Sequence, residues 1–176
     1  MVKTMKWILG IVGGLLGLGL LVYGIGALLP RAHVASRTLV LHAPPQAVWN
    51  VITDFASGPS WRSGLLAAEP LPDRDGRPVW RETSDFGELT YEVTRAEPPT
   101  LLVTTIVGED LPFGGTWTYQ LTAVDSTCRV TITEDGQIYN PLFRFMSRFI
   151  FGYHGTIEHY LQDLARKFGE EAVFVR

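Results

Sequence analysis

Residues 116–138 read TWTYQLTAVDSTCRVTITEDGQI and hold the clearest structural pattern of the chain. In the first part, Trp117, Tyr119 and Leu121 alternate with threonine and glutamine, which is typical of a β-strand with one apolar and one polar face. A turn, DST, separates this run from a second β-rich run that ends at Ile138. The pair predicts an antiparallel hairpin whose polar face tolerates water.

Similar short runs precede this hairpin, and clusters rich in Gly, Pro, Asp and Glu separate them. The predicted strands are Ser36–His42, Leu65–Pro70, Pro78–Thr83, Leu89–Glu97, Leu101–Val107, Thr116–Val124 and Arg129–Ile138. A short helix is predicted at Gln46–Phe55, where apolar residues follow helical spacing. The regular alternation of strands and turns indicates an antiparallel meander of about seven strands.

A long helix is predicted after the last strand. Asn140 suits the N-cap and Pro141 the first helical position. From Leu142 to Phe168 apolar residues recur every three or four positions, and Gly169 suits the end of the helix. At about 1.5 Å per residue, one such helix of about 28 residues is roughly 42 Å long. A meander buries a helix of this length by curving around it, which predicts an α+β fold and leaves space for a cavity.

The N-terminal segment Trp7–Leu29 contains 23 residues without a formal charge. As a helix it would be roughly 34 Å long, enough to cross a hydrocarbon core of about 30 Å. A cleaved signal peptide is the alternative, although its apolar region is usually only about 7–15 residues long. Lys3 and Lys6 precede the segment, and the positive-inside rule then favours an exported domain on a single-pass membrane anchor.

The composition excludes several classes of protein. The 176 residues carry a net charge of −3, which argues against a nucleic-acid partner. Cys128 is the only cysteine, so neither a disulfide framework nor a cysteine metal cluster is expected. The predicted organisation is an anchor at residues 1–30, a linker at 31–35, one domain at 36–169 and a tail at 170–176.

Four stretches, in this order, resemble the SRPBCC superfamily, whose members are also called START-like or polyketide cyclase/dehydrase-like. They are APPQAVW at residues 43–49, Trp61 after the first helix, TCRVTITE at residues 127–134 and NPLF at residues 140–143. The resemblance implies a helix-grip fold with an internal apolar cavity. Members bind lipids, sterols, polyketides, quinones or plant metabolites, and a minority are enzymes.

The residues expected to line such a cavity are aromatic and aliphatic, with a few hydroxyl groups, as suits an apolar ligand. On the sheet they are Tyr91, Val93, Trp117, Tyr119, Leu121, Val130 and Ile132, and on the helix Phe149, Tyr153, Ile157 and Tyr160. Packing of these side chains against one another as core is the alternative for each of them. Glu134 shares the alternation of Val130 and Ile132, so we expect it to point inward and to bind the polar end of a ligand, or else to lie at a solvated rim.

Three functions remain open at this point. The first is a membrane-anchored binding or carrier domain for a hydrophobic small molecule such as a lipid, fatty acid, quinone or polyketide. The second is a cyclase or dehydratase that uses Glu134, Tyr91 or His154 for acid–base chemistry. The third is a protein-interaction module without a ligand. No cofactor is implied, because the chain lacks nucleotide-binding, nucleophile and metal-ligand motifs.

A further expectation concerns the start of the last helix, PLFRFMSRFIF at residues 141–151. Phe145 and Phe151 add apolar surface beside basic residues, a combination typical of segments that touch a bilayer. We expect this segment and the LPFGG loop at residues 111–115 to flank the mouth of the cavity and to face lipid. Packing against the first helices is the alternative.

Overall fold

A computed structural model describes residues 2–108 and 111–175. An eight-stranded antiparallel sheet forms the body of the domain, in the order β2-β3-β4-β5-β6-β7-β1-β8. The strands are Ala32–Leu41 (β1), Leu65–Arg74 (β2), Arg77–Ser84 (β3), Gly87–Glu97 (β4), Leu101–Val107 (β5), Phe113–Val124 (β6), Thr127–Ile138 (β7) and Phe174–Val175 (β8). The α+β helix-grip fold and its consecutive meander are confirmed.

Helices precede the sheet, interrupt it and follow it. They are α1 (Val2–Leu28), α2 (Pro45–Thr53), a 3₁₀ helix (Phe55–Ser60), α3 (Pro141–Met146), a π-helical segment (Ser147–Phe151) and α4 (Gly155–Lys167). The apolar stripe of α4 holds Ile157, Leu161 and Leu164, which are fully buried in one cluster with β-strand residues such as Leu39 and Ile132. This face of α4 and the facing side of the sheet form the core.

The C-terminal helix is broken, so the prediction of one continuous helix is wrong. After α3 the chain widens into the π-helical segment, and Gly152 then adopts φ +74°, a left-handed conformation that ends a helix. The apolar stripe of the sequence continues through the break. Its spacing therefore does not reveal the local change of helical pitch. As a result Phe149 lies on the outer side of the segment and is largely exposed.

Both ends of the domain extend beyond the predicted limits. The first strand begins at Ala32 rather than Ser36, because it pairs with β7 along its whole length, with Ala35 opposite Glu134. Most of the linker expected at residues 31–35 is therefore strand. In the expected tail, β8 pairs with β1 through Phe174 and Leu39, which makes the sheet one strand larger than predicted.

The apolar helix α1 packs against α3. Its Leu9–Leu28 stretch is long and apolar enough to cross a membrane, by length and composition. Near its end a Cβ at Gly26 would collide with the carbonyl group of Pro141, so the two backbones touch at that point. Nη1 of Arg144 donates to the carbonyl oxygens of Ala27 at 3.3 Å and Leu29 at 2.8 Å. A buried arginine thus satisfies terminal carbonyls of the helix, which have no partner within it.

Candidate functional site

The main cavity lies between the broken helix and the sheet. Its volume is about 220 Å³. The sheet contributes His33, Phe113, Gly114, Glu134, Gln137 and Ile138 to its wall. The broken helix contributes Phe143, Met146, Ser147, Phe151, Gly152, Tyr153 and Thr156. Residues of the break, Phe151 to Tyr153, therefore form part of the cavity wall.

A carboxylate and an imidazole lie side by side in the cavity wall. Nε2 of His33 lies 3.4 Å from Oε1 of Glu134, and the two side chains are 11% and 21% exposed. The His33 ring stacks on Tyr153, with centroids 4.3 Å apart and planes 18° from parallel. Nδ1 of His33 is buried without a hydrogen-bond partner among the described residues. The pair is thus a fixed polar group in a wall that also holds Gln137, Ser147 and Thr156 beside its apolar side chains.

The backbone of β7 leaves room for this pair at Gly136, which lies opposite His33 in the ladder. A Cβ at Gly136 would lie 2.6 Å from Nε2 of His33 and 3.0 Å from Oε1 of Glu134. Real Cβ atoms do not approach other atoms so closely. Glycine at this position therefore allows the imidazole to lie flat across the sheet beside the carboxylate.

The environment of Glu134 disfavours its charged form. Burial raises the pKa of the Glu134 carboxyl above its usual 4.5, and the opposing effects of His33, Trp117 and His154 are smaller. A carboxyl of this kind exchanges a proton more readily near neutral pH than an exposed glutamate does. It also accepts or donates a hydrogen bond according to its protonation state.

The space beneath the aromatic strands, where the cavity was expected, is filled by side chains. Trp80 stacks on Phe55 at 3.7 Å and on Tyr91 at 5.4 Å, measured between ring centroids. Tyr160 on α4 meets Trp117 at 5.8 Å and Tyr119 at 5.7 Å. The remaining cavity there is about 20 Å³, little more than the roughly 10–15 Å³ that one water needs. The expected cavity is thus absent from this part of the described chain.

A buried ion pair completes this aromatic cluster. Nη1 and Nη2 of Arg62 donate to the two carboxylate oxygens of Glu82 at 2.5 and 2.9 Å, and Nε1 of Trp80 donates to the same carboxylate at 3.0 Å. The guanidinium also lies 5.2 Å from the ring centre of Tyr160. Burial raises the pKa of Tyr160 to about 12. These groups are satisfied by one another, which favours a structural role.

The predicted site residues therefore divide into four groups. Glu134 and Tyr153 line the main cavity. Tyr91, Trp117, Tyr119 and Tyr160 belong to the aromatic cluster. Val93, Leu121, Val130, Ile132 and Ile157 are buried in the core. Phe149 packs on Phe145 at 4.9 Å outside both cavities, because the π-helical segment turns it outward.

Most of the wall residues are not among the predicted site residues, and His33 and Met146 show why. His33 was assigned to a linker, although Leu41, Leu39 and Ala35 alternate back to it along the strand. That extended alternation is the signal that identifies it. Met146 belongs to the predicted apolar stripe. Its position in the sequence does not distinguish a residue of a cavity wall from a residue of the core.

A serine, a histidine and an aspartate also meet outside both cavities. The hydroxyl of Ser63 lies 2.7 Å from Nε2 of His159 and donates to Asp163 at 2.9 Å, and the Ser63 backbone N–H donates to the same carboxylate at 2.7 Å. In a catalytic triad the aspartate binds the other ring nitrogen of the histidine. Here Asp163 is nearest to Nε2 itself, at 3.7 Å. The cluster therefore links the loop between the 3₁₀ helix and β2, which contains Ser63, to α4.

No three His, Cys, Asp or Glu side chains gather as they would around a metal ion in the part of the chain that the structure describes. Cys128 is fully buried in β7, and burial raises its pKa to about 11. A thiol in this state is a poor nucleophile. The acid–base groups in the wall of the main cavity are therefore the Glu134 carboxyl, the His33 imidazole and the Tyr153 phenol.

Comparison with known protein families identifies the domain that follows α1. The sequence model described as "Polyketide cyclase / dehydrase and lipid transport" matches residues 32–169, which span β1 to the end of α4. The chain belongs to this family. The resemblance to the SRPBCC superfamily is thereby confirmed. A search of curated protein sequences finds no match to this chain.

Solved structures share the fold of this polyketide cyclase/dehydrase family member at low sequence identity. A START superfamily protein from Mycobacterium smegmatis is 17% identical, with a TM-score of 0.64 over 78% of this chain and 97% of its own. A conserved protein from Geobacillus kaustophilus is 16% identical, with a TM-score of 0.66 over 82% and 100% of the two chains. The Zhui aromatase/cyclase from a Streptomyces species is 13% identical, with a TM-score of 0.62 over 78% and 94%. At such identities the likeness concerns the fold alone.

Proposed function

We propose that this family member is a membrane-anchored binding domain that holds a small apolar molecule in the cavity between the broken helix and the sheet. The observation that carries the proposal is a mostly apolar cavity of about 220 Å³ with the partly buried pair of His33 and Glu134 in its wall. Pockets for drug-sized ligands measure about 300–1,000 Å³. The cavity therefore fits a small molecule, or the end of a longer one whose remainder lies outside.

The charges of the wall favour an uncharged polar end on this ligand. His33 and Glu134 face one another, and no lysine or arginine is among the described wall residues. Where Glu134 is ionised, a carboxylate or phosphate would enter beside a like charge with no lysine or arginine to balance it, and the two charges would repel. A hydroxyl or carbonyl group instead hydrogen-bonds to the pair without adding charge.

The anchoring part of the proposal rests on α1. The helix is apolar over Leu9–Leu28, and the α3 contact leaves almost all of that stretch without a protein partner. A soluble helix hides such a surface, whereas lipid covers it in a membrane. We place the domain on the extracytoplasmic side, from the two lysines before the helix. Protease protection of intact cells tests this side, and a protected domain would reverse the assignment.

Mass spectrometry of extracts from the full-length protein in nanodiscs tests ligand binding. We expect an apolar compound that co-purifies with the wild type and is depleted in Met146→Trp, whose indole fills the cavity. Phe145→Trp is the matched control, because Phe145 packs on Phe149 outside the cavity. Equal extracts from all three proteins would refute ligand binding there and would favour an interaction module without a ligand.

One observation favours a second candidate, an enzyme of the cyclase or dehydratase type. A buried carboxyl with a raised pKa beside an imidazole is a common acid–base arrangement. Under this alternative Glu134 moves the proton and His33 keeps it oriented. Conversion of the co-purifying compound by the wild type, lost in Glu134→Gln with binding retained, would support the enzyme. Binding without conversion would favour the carrier.

A further inference from the structure

The antiparallel order of the strands brings several loops to the end of the sheet where α1 arrives. β7 ends at this edge before α3, and β1 begins there after α1. Because neighbouring strands alternate in direction, the connections from β3 to β4 and from β5 to β6 lie at the same edge. The turns from β2 to β3, β4 to β5 and β6 to β7 lie at the opposite edge. We call the end of the sheet where α1 arrives the anchor edge.

Two separate elements expose large apolar side chains at the anchor edge. In the π-helical segment Phe149, Ile150 and Phe151 are 59%, 59% and 69% exposed. In the turn between β3 and β4, Phe86 is fully exposed. β4 and β7 are three strands apart, which is roughly 14 Å along the sheet at about 4.8 Å per strand. Large exposed apolar side chains grouped at one end of a sheet indicate a contact with a partner or with lipid.

The position of α1 identifies the partner as a lipid bilayer. The close contact between Gly26 and Pro141, and the hydrogen bonds from Arg144 to Leu29, fix the end of α1 against α3. If α1 spans a membrane, as the proposed function states, α3 and the π-helical segment lie at the level where the span ends. Arg148 and Arg31 are exposed there and suit anionic lipid phosphates.

We propose that the anchor edge contacts the bilayer at two points, the π-helical segment and Phe86, so that the main cavity opens at the lipid surface. Phe143 and Phe151 belong both to the cavity wall and to the partly exposed apolar surface of the broken helix. A ligand leaving the cavity past them enters the bilayer interface without crossing water. Asp85 and Glu88 flank Phe86 and are exposed, so only the ring enters the lipid at that point.

Spin labelling of the full-length chain in nanodiscs of phosphatidylcholine and phosphatidylglycerol tests this contact. The single buried cysteine makes a cysteine-free background available through Cys128→Ala. Nitroxides are attached at Phe86→Cys and Ile150→Cys, and at Ser126→Cys on the opposite edge as a control. We expect the ratio of oxygen to nickel-chelate accessibility to be several-fold higher at positions 86 and 150 than at 126. Similar ratios at all three positions, or a high ratio at 150 alone, would overturn the two-point contact.

A fourth label separates this inference from the proposed function. Gly17→Cys places a nitroxide near the middle of the apolar stretch, where a Cβ meets no other residue. A label at 17 in hydrocarbon with labels at 86 and 150 in water would leave the anchor intact and refute the docking surface. A label at 17 in water would refute the anchor and the docking surface together. Dipolar broadening at 150 that disappears on dilution with unlabelled chain would mean that a second copy covers the surface. This result would also overturn the proposed contact with the bilayer.

Discussion

Nη1 of Arg144 lies 2.8 Å from the carbonyl oxygen of Leu29, so that a buried guanidinium of the domain binds the end of the apolar helix. The same group reaches the carbonyl of Ala27 at 3.3 Å. Hydrogen bonds that involve a charged group contribute about 1.5–3 kcal/mol. Nε of Arg144 is buried without a partner among the described residues, which offsets part of this gain. The net effect is to hold α1 and α3 together.

Arg144→Met tests this link. We expect the free energy of local opening of α3, measured by amide hydrogen exchange in nanodiscs, to fall by about 1–2 kcal/mol, because the carbonyls of α1 lose a charged donor. Arg148→Met is the control, since Arg148 is exposed in the adjacent segment. Equal exchange in the two variants would show that Arg144 does not fix the helix.

The raised pKa of Glu134 predicts how stability depends on pH. The folded protein holds the Glu134 proton more tightly than the unfolded chain, so this residue stabilises the fold most at a pH below about 4.5. Its contribution is lost as pH rises from 4.5 through the higher folded-state pKa. We therefore expect Glu134→Gln to gain stability relative to the wild type as pH rises through this window, in denaturant titrations at several pH values. A constant difference at every pH would contradict the raised pKa.

The uncharged wall of the cavity predicts a preference among ligands of equal length. At a pH above the folded-state pKa of Glu134, octanol should displace a fluorescent apolar probe from the wild-type protein at about a tenth of the octanoate concentration or less, because octanoate then meets an ionised carboxylate and no lysine or arginine. Empty nanodiscs correct for partition into lipid. Glu134→Gln should narrow the difference, and Ser147→Lys, which adds a cation to the wall, should reverse it. Tighter binding of octanoate or octylammonium to the wild type would refute an uncharged polar end.

The cluster of Ser63, His159 and Asp163 is predicted to be structural. Ser63→Ala should lower the free energy of unfolding by about 1 kcal/mol, the usual effect of losing one hydrogen bond. A serine-reactive fluorophosphonate should leave Ser63 unmodified. Asp163 accepts the hydrogen bond that the Ser63 hydroxyl donates, and it does not orient His159 as the aspartate of a triad does. Peptide mapping by mass spectrometry checks this outcome. Labelling of Ser63 that disappears in His159→Ala would reveal a catalytic group instead.

Much of the sheet could be predicted from the sequence. The strand Leu101–Val107 is found with the predicted bounds, and Asn140 caps α3 through bonds from the N–H groups of Leu142 and Phe143. These features depend on alternation and capping, which act between neighbours in sequence. The helical break at Gly152 has no such signature, since glycine also occurs inside helices. The cavity could not be located for this reason, because residues of the break form part of its wall.

The inward position of Glu134 was predicted from the alternation of its own strand, whereas its partner was not. His33 reaches Glu134 only because β1 pairs with β7 in one register and because Gly136 has no side chain. The filling of the space around Tyr160 likewise depends on Arg62 and Glu82, which are 20 residues apart and meet only in the folded chain. Periodicity identifies which residues face inward but does not determine whether they touch or enclose a void.

The tight approach of Gly26 to Pro141 limits how this protein can be re-engineered. Exchanging its first helix for an unrelated apolar helix would disturb the domain, unless the replacement also carried glycine four residues before Pro30. The last turn of the helix is therefore part of the packing of the domain, and substitutions there are tied to substitutions at the start of α3.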